Sequence, residues 1–331
     1  MAALNQTMRG VLMGKLKIVY PICCGIDVHR DFVIACIAST NMQGITEYQS
    51  RRFSTYTGSL RELKKWLLEN QCKDVCMEST GKYWIPVHNI LEDSIHVVVS
   101  HPKFVKAIKG KKTDKKDAQW IADLFKHDLV RGSFIPPKDI REMRDLCRYW
   151  VKLSSCMTGE KNRAQNCLTV SNFKLDDVFR NVFGKSASAI TTQLLEHPGE
   201  SFDVTPYVDK RCKTPIDQIQ QAADGSFSHE QAEKFKIIRH HMDSLDKHKT
   251  ELESLILEIA HKYPPQIDLL LTVPGIHDPF TAIRILAEIG TDMSVFDSSK
   301  HLCSWAGLTP QNAESAGKKK RLFTVRRCLT L

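Results

Sequence analysis

The sequence of 331 residues contains no apolar run of the roughly 18–20 residues that a membrane-spanning helix needs. Residues 1–20 lack the compact apolar stretch and the small-residue cleavage site of a secretory signal. The eleven cysteines are odd in number, and neither a Cys-x-x-Cys pair nor zinc-finger spacing of Cys and His occurs. We therefore expect a cytoplasmic protein with reduced thiols and no membrane partner.

The sequence is rich in apolar residues and carries a net positive charge. Hydrophobic residues make up 42% of the chain, enough for a sizeable core, which excludes wholesale disorder. Lys and Arg total 47 against 38 Asp and Glu, so the formal charge is +9 with His counted neutral. The basic residues concentrate in KFVKAIKGKKTDKK at 103–116 and KKKRLFTVRR at 318–327. These runs indicate either a nucleic-acid partner or ordinary solvated faces.

The first 130 residues carry an alternation of strand and helix patterns. The order predicted is β-β-β-α-β-α-β-α, with strands at 22–28, 32–38, 47–54, 75–77 and 95–99 and helices at 59–69, 84–91 and 113–129. Three antiparallel strands followed by α/β units is the order of a ribonuclease-H-like domain. We therefore expect an α/β fold of that class.

Long helices dominate the pattern of the rest of the chain. Residues 139–168 and 228–261 each have helical periodicity, and no clear prediction can be made for 172–227 between them. The second helix has an a/d heptad series, formed by Phe235, Ile238, Met242, Leu245, Lys249, Leu252, Ile256 and Ile259. The series predicts a coiled coil within or between chains, with an ordinary amphipathic helix as the alternative. A small, mostly helical terminal unit follows, with a Pro274-Gly275 turn before a helix at 280–289.

Four carboxylates occupy positions typical of a metal site. Asp27 and Glu78 end two predicted strands, and Asp114 and Asp117 share one face of the first turn of a helix. Clustered acids repel one another unless a cation neutralises them, and hard divalent ions prefer oxygen ligands. Each acid taken alone is typical of a strand end or a helix cap. Their joint placement on one predicted fold is what indicates a site.

Several blocks of the sequence resemble the DEDD transposases of bacterial insertion sequences of the IS110 type. The blocks are GIDVHRD, MESTGKYWIPV, KGKKTDKKDAQWIADL, RGSFIPPKDIREMRDL, TVPGI-x-x-x-x-TA, SWAGLTPQN and ESAGK. They follow in register over about residues 20–321. The resemblance implies a RuvC-like, ribonuclease-H-fold nuclease domain in which Asp27, Glu78, Asp114 and Asp117 bind Mg²⁺ or Mn²⁺. It also implies that Ser315, in the ESAGK block, is a nucleophile that becomes covalently linked to DNA.

The resemblance also implies domains and partners. The expected divisions are an N-terminal extension (1–20), the DEDD nuclease domain (21–134), a long-helix coiled-coil region (135–264) and an incomplete serine transposase domain (265–331). The partners implied are the DNA ends of the element, its target DNA, a structured non-coding guide RNA, and further copies of the chain. We expect a dimer or tetramer through the heptad helix, with acids and serine supplied by different domains and by different protomers.

The predicted nucleic-acid contacts lie in the two basic runs and at the Pro274-Gly275 turn. They are Lys109, Lys111, Lys112, Lys115, Lys116, Gly275, Lys318, Lys319, Lys320 and Arg321. Gly275 would belong to half of a helix-hairpin-helix, in which backbone N–H groups at a helix N-terminus bind a phosphate. His277 replaces the usual second glycine of that motif, which leaves a plain helix connection as the alternative.

The leading interpretation is a DNA strand transferase that uses metal-bound acids and a nucleophilic serine, and three other interpretations compete with it. One is a junction-resolving nuclease that uses the acids without the serine. Another is a truncated relic that only binds nucleic acid, because LFTVRRCLTL after Arg321 does not resemble the several further helices expected in the family. A third is an actin-fold kinase, suggested by GIDVH after a strand, although His29, Arg30 and Asp31 stand where a Gly/Thr-rich phosphate turn is expected.

Overall fold

A computed structural model describes residues 16–105, 113–309, 314–315 and 318–319 of the chain. The chain divides into two compact units, Met1–Ile135 and Pro136–Leu331. Each unit has its own apolar core, and each is described by itself below.

The first unit is built on a five-stranded mixed sheet. Its strands are β1 (Ile22–Val28), β2 (Phe32–Thr40), β3 (Thr46–Ser54), β4 (Asp74–Glu78) and β5 (His96–Ser100). Their order across the sheet is β3-β2-β1-β4-β5, in which β1–β2 and β2–β3 pair antiparallel while β1–β4 and β4–β5 pair parallel. The helices of this unit are α1 (Thr57–Glu69), α2 (Trp84–Leu91), α3 (Pro102–Val105) and α4 (Asp114–Lys126).

This arrangement confirms the ribonuclease-H-like fold expected from the sequence. The strands and helices follow the predicted order, with one additional short helix, α3, before α4. The helix predicted to reach residue 129 ends at Lys126 instead. Asp128 has φ +56°, a left-handed conformation that stops a helix, and its amide donates back to the Phe125 carbonyl at 2.9 Å.

Alternation along the strands divides the first core between two faces of the sheet. Cys24 and Ile26 point toward α1 and α2, where Leu63 is fully buried among them. Cys23 points to the opposite face, where it packs with Ile121 of α4. Helices therefore cover both faces, as expected where parallel strands must be shielded from water.

Two long helices, α5 (Lys138–Val170) and α9 (His229–Ala260), form the frame of the second unit. The heptad residues of α9 are directed inward: Leu245 and Leu252 pack with Leu153 of α5, and Ile256 packs with Met143. The predicted seam is therefore satisfied within one chain, by helix-on-helix packing.

The polar residue in the heptad series also has a structural partner. The Lys249 Nζ lies 4.6 Å from the centre of the Trp150 ring on α5. The indole Nε1 of Trp150 donates to Glu253 Oε1 at 2.7 Å, so the ring is held between the helices. A lysine is tolerated at this position because its charge rests on an aromatic face while its stem lies along the seam.

The segment that the sequence left without a prediction forms a small helical core. It contains α6 (Leu175–Val178), α7 (Lys185–Glu196) and α8 (Ile216–Ala222), with a 3-10 turn at Thr205–Tyr207. Buried residues such as Phe173, Ile190 and Ile219 pack against Phe235 of α9. These helices are short and lie between irregular stretches, so their periodicity is too brief to detect in the sequence.

The described part of the chain ends with α10 (Pro264–Leu271), α11 (Pro279–Ile289), α12 (Ser299–Trp305) and a two-residue ladder of β6 (Glu314–Ser315) and β7 (Lys318–Lys319). A 3-10 turn at Met293–Val295 precedes α12. The helix predicted at 280–289 is confirmed as α11. The apolar residues at 269–273 mark the end of α10, which begins at Pro264, a favourable first-turn position for proline.

An ion-pair network fastens α11 to α5. Arg148 binds both carboxylate oxygens of Glu288, with Nε and one terminal nitrogen each at 2.8 Å. Arg144 donates to the carbonyls of Ala287 at 2.8 Å and Glu288 at 3.0 Å, which are among the unsatisfied carbonyls at the helix C-terminus. The buried carboxylate of Glu288 is thus matched by cations.

The ten cysteines within the described residues are all free, and most are buried. Burial raises the pKa of the Cys23, Cys72 and Cys76 thiols to about 12, so they stay protonated at neutral pH. No helix in the described ranges combines the length and the apolar character that crossing a membrane requires.

Candidate active site

Two acids lie at neighbouring strand ends in the first unit. Ile26 of β1 pairs in parallel with Met77 of β4, and Asp27 and Glu78 are the next residues of the two strands. Side chains in equivalent positions of parallel neighbours point to the same face, here the face covered by α4. The carboxyl ends of parallel strands are where open α/β sheets bind ligands.

The N-terminus of α4 reaches the same edge because α4 runs antiparallel to β1. Cys23 Sγ contacts the Ala122 carbonyl, and Gly25 lies against Ala118, one turn nearer the start of the helix. Extending this alignment places the first turn of α4 beside Asp27. Thr113 caps that turn, its hydroxyl accepting from the Lys116 amide, and Asp114 and Asp117 are the acids in it.

Gly25 is what allows the helix to approach so closely. A Cβ at this position would overlap the Ala118 carbonyl and the Ala122 amide, both of which are backbone atoms. Neither can move aside without displacing the helix, so only glycine fits here.

Asp27 is an acid in an unfavourable environment. Only 9% of the residue is exposed, and burial is the main reason that the pKa of its carboxyl is raised. A contact with His29 opposes the rise, while the negative charges of Asp117 and Asp114 add to it. The structure therefore brings two of the other predicted acids, Asp114 and Asp117, close enough to Asp27 to raise its pKa.

His29 is the residue at this site that the sequence analysis did not identify as functional. Its Nε2 lies 3.0 Å from Asp27 Oδ2 and 3.9 Å from Asp114 Oδ2. Among the described residues, Asp27, His29 and Asp114 form the group whose potential ligand atoms all lie within 4.8 Å of one another. The signal in the sequence that could have identified His29 is its position two residues beyond Asp27, directly after β1 ends.

Glu78 and Asp117 lie outside that tight group. Glu78 accepts a hydrogen bond from the Thr80 hydroxyl at 3.3 Å, which holds its Oε1 near its own loop. Asp117 is close enough to raise the pKa of Asp27 by its charge. The donor set of carboxylates and one imidazole suits a divalent cation, since such an ion would relieve the repulsion.

The predicted serine lies in the second unit. Ser315 pairs with Lys318, and Glu314 with Lys319, across the antiparallel β6–β7 ladder. The ESAGK block thus brings the serine backbone beside that of a lysine.

The predicted nucleic-acid contacts are described only in part. Lys115 and Lys116 are exposed on the first turn of α4. Lys109, Lys111, Lys112, Lys320 and Arg321 lie outside the described residues. Gly275 is exposed with φ +95°, but the Asp278 carboxylate accepts from the Thr281 amide at 2.8 Å. A carboxylate therefore caps α11 where a phosphate would bind, which favours the plain helix connection.

Comparisons with known proteins identify both parts of the chain. Residues 24–172 match the family model of IS110-type DEDD transposases, described as "Transposase". Residues 267–327 match "Transposase IS116/IS110/IS902 family", a range that extends past Arg321, where the resemblance noted in the sequence ended. A comparison with curated proteins finds no match.

Solved structures with a similar chain include two of RuvC and one of a viral resolvase. Thermus thermophilus RuvC matches at 13% identity and TM-score 0.28, covering 34% of this chain and 99% of that one. T. thermophilus RuvC in complex with Holliday junction substrate gives 11% and 0.26 with the same coverage. Fowlpox virus resolvase, in complex with substrate Holliday junction DNA, gives 15% and 0.22 over 31% of this chain and 72% of its own. On the two family matches, the chain belongs to the IS110 family of transposases and is a DNA transposase/recombinase enzyme.

Proposed function

We propose that the protein catalyses DNA strand cleavage and transfer in insertion-sequence transposition, with Asp27, Glu78, Asp114 and Asp117 as metal-binding acids and Ser315 as nucleophile. The observation that carries the proposal is Asp27, a buried carboxyl with a raised pKa beside two further acids at a sheet edge. Such an arrangement is unfavourable for stability and favourable for holding a cation.

The acids have a defined task in this reaction. A bound divalent cation, Mg²⁺ or Mn²⁺, would supply electrostatic stabilisation of the charge that builds up on the oxygens at phosphorus. Asp27 and Asp114 would hold it at the sheet edge, with Asp117 completing the negative field. Glu78, at the end of β4, would join them on the same face.

Ser315 has the task of forming the covalent link. Its Oγ would form a bond to phosphorus, the bond from phosphorus to a deoxyribose oxygen would break, and that oxygen would take up a proton. The serine must lose its own proton in the same process. Support comes from the family match over residues 267–327, which includes the ESAGK block.

The partners proposed are the DNA ends of the element, target DNA and a structured non-coding guide RNA. The net charge of +9 and the exposed Lys115 and Lys116 beside the acids support nucleic-acid binding. We also propose a homo-oligomer, a dimer or tetramer, through the long helices. Because the heptad seam is buried within the chain, such a contact would use outward residues of the same helices, such as Tyr149 and Ile237.

Replacing Asp27 by Asn tests the acid site. With a plasmid carrying the DNA that flanks the gene, and Mg²⁺ or Mn²⁺ present, we expect D27N to cut at least about 10²–10³-fold more slowly than wild type. The matched control is Asp31→Asn, because Asp31 is four residues away with an 86% exposed side chain. Cleavage that D27N retains and D31N does not alter would contradict the metal-site assignment.

Trapping the DNA adduct tests the serine. Denaturing gels of a reaction with end-labelled DNA should show a protein–DNA species that disappears in Ser315→Ala and persists in Ser304→Ala, an exposed serine of α12. Metal-dependent cleavage without an adduct would instead indicate a junction-resolving nuclease. Binding that weakens with salt, without cleavage under any condition, would indicate a relic that only binds nucleic acid.

A further inference from the structure

We infer that His29 is a direct ligand of the divalent cation, so that the site has a nitrogen donor beside its carboxylates and favours Mn²⁺ over Mg²⁺. The inference rests on the proposed function, because it concerns the same acid site. It adds a residue that lies outside the four acids and changes which ion the site prefers.

The three side chains lie close enough together to share one ion. Two ligand atoms at about 2.1 Å from one ion are about 3.0 Å apart when adjacent and about 4.2 Å apart when opposite. The Nε2 of His29 is 3.0 Å from Asp27 Oδ2, which equals the adjacent value, and 3.9 Å from Asp114 Oδ2, which is about 0.3 Å short of the opposite value. The three side chains could bind a single ion with little movement.

The His29 ring is held in place by neighbouring side chains of the sheet. It packs on Phe32, with ring centres 4.5 Å apart, and the guanidinium of Arg52 lies 3.8 Å from the centre of the Phe32 ring. The His29 amide also donates to the Phe32 carbonyl at 2.9 Å, closing the turn between β1 and β2. A ring supported on this stack, with 37% of its side chain exposed, combines fixed orientation with access for an ion.

The alternative role is a hydrogen bond that only orients Asp27. The two roles differ in chemistry. Imidazole nitrogen binds transition metals well and Mg²⁺ poorly, whereas carboxylate oxygens accept both kinds of ion. Loss of a nitrogen ligand must therefore weaken Mn²⁺ binding selectively, while loss of an orienting hydrogen bond weakens both ions together.

Electron spin echo spectroscopy of Mn²⁺ on the full chain without DNA tests the inference. We expect a ¹⁴N coupling in wild type that changes to ¹⁵N when the protein is made with ¹⁵N-histidine. His29→Gln should abolish it and lower Mn²⁺ affinity by about tenfold or more, with less than about a threefold change for Mg²⁺. The control is His96→Gln, which disrupts another His–Asp pair of the same sheet, His96 Nδ1 being 2.9 Å from Asp74 Oδ1; among the described residues this pair belongs to no group of three potential ligands.

The outcomes separate this inference from the proposed function. Mn²⁺ binding that Asp27→Asn removes, without histidine nitrogen coupling in wild type, would overturn the ligand role and leave the acid site standing. Equal losses of Mn²⁺ and Mg²⁺ affinity in His29→Gln would also overturn it. Mn²⁺ binding that Asp27→Asn does not weaken would contradict the proposed acid site itself. Because the wild-type spectrum decides the ligand role, a poorly folded variant does not block the test.

Discussion

Asp27 and Glu288 are both buried acids, yet their surroundings differ completely. Each is less than a tenth exposed. Glu288 receives two hydrogen bonds from Arg148, with Arg144 close by, whereas the described residues give Asp27 only His29 as an ion-pair partner and two acids as neighbours. A buried carboxylate matched by cations fastens helices, and one left among other acids is suited to bind an ion from solution.

The two units also differ in how the helix near the buried acid is held in place. In the first unit, α4 approaches β1 through direct backbone contact at Gly25. In the second unit, α11 is attached to α5 through the long side chains of Arg144 and Arg148. Backbone contact fixes a position more rigidly than flexible side chains do, so the predicted effects of mutation differ between the units.

Adding one methyl group at Gly25 should have the largest effect on stability. Gly25→Ala is expected to cost about 3 kcal/mol or more, because the new Cβ meets backbone atoms of α4 rather than side chains that can turn away. Hydrogen exchange should show faster exchange of the α4 amides, and Mn²⁺ affinity should fall with it. Gly58→Ala, with open space around the new Cβ, should be neutral or slightly stabilising. Equal behaviour of the two variants would refute the close-contact account.

Removing the paired acid should have the next largest effect, without touching metal binding. Glu288→Ala is expected to destabilise the second unit by about 2–3 kcal/mol, less than for a fully buried pair because Arg148 is half exposed. Denaturant unfolding would measure this loss of stability, and hydrogen exchange of the α11 amides would show whether it is felt at α11. Glu258→Ala, an exposed acid of α9, is the control. Unchanged exchange of α11 in E288A would show that the ion pairs do not fasten it.

Neutralising Asp27, the acid that lies among other acids, should have the smallest effect on stability, and the effect should be stabilising. Since the pKa of Asp27 is raised in the folded state, the metal-free protein loses stability as pH rises through that pKa. Asp27→Asn should therefore gain about 1 kcal/mol at neutral pH, and the gain should vanish below the ordinary pKa of an aspartate. Thermal unfolding in chelator at several pH values would check it. A destabilised D27N at neutral pH would contradict the comparison.

Much of the fold could be predicted because its strands and long helices carry distinctive apolar patterns. The continuous apolar runs of β1 and β2 and the heptads of α9 extend over enough residues to be recognised. The region between the long helices could not be predicted, since its helices run only 4 to 12 residues and are stabilised by a shared core. Tertiary packing, rather than local pattern, determines them.

The sequence predicts the acids of the proposed site but not its histidine. Asp27 and Asp114 were identified by strand-end and helix-start positions combined with the family resemblance. His29 has no periodic pattern, and its closeness to Asp114 depends on α4 lying against β1. That contact depends in turn on Gly25, because any side chain there would overlap the backbone of α4. This requirement can be seen only in the three-dimensional structure.

The contact at Gly25 also determines how the protein can change over time. Because the helix meets β1 through peptide groups at Gly25 as well as through side chains such as Ile121, the spacing between Asp27 and the start of α4 depends less on which apolar residues fill the neighbouring core. Substitutions that enlarge or shrink that core would then disturb the geometry of the proposed site less. The sheet edge would then stay chemically constant while the surrounding sequence diverges, with one glycine as the position that must not vary.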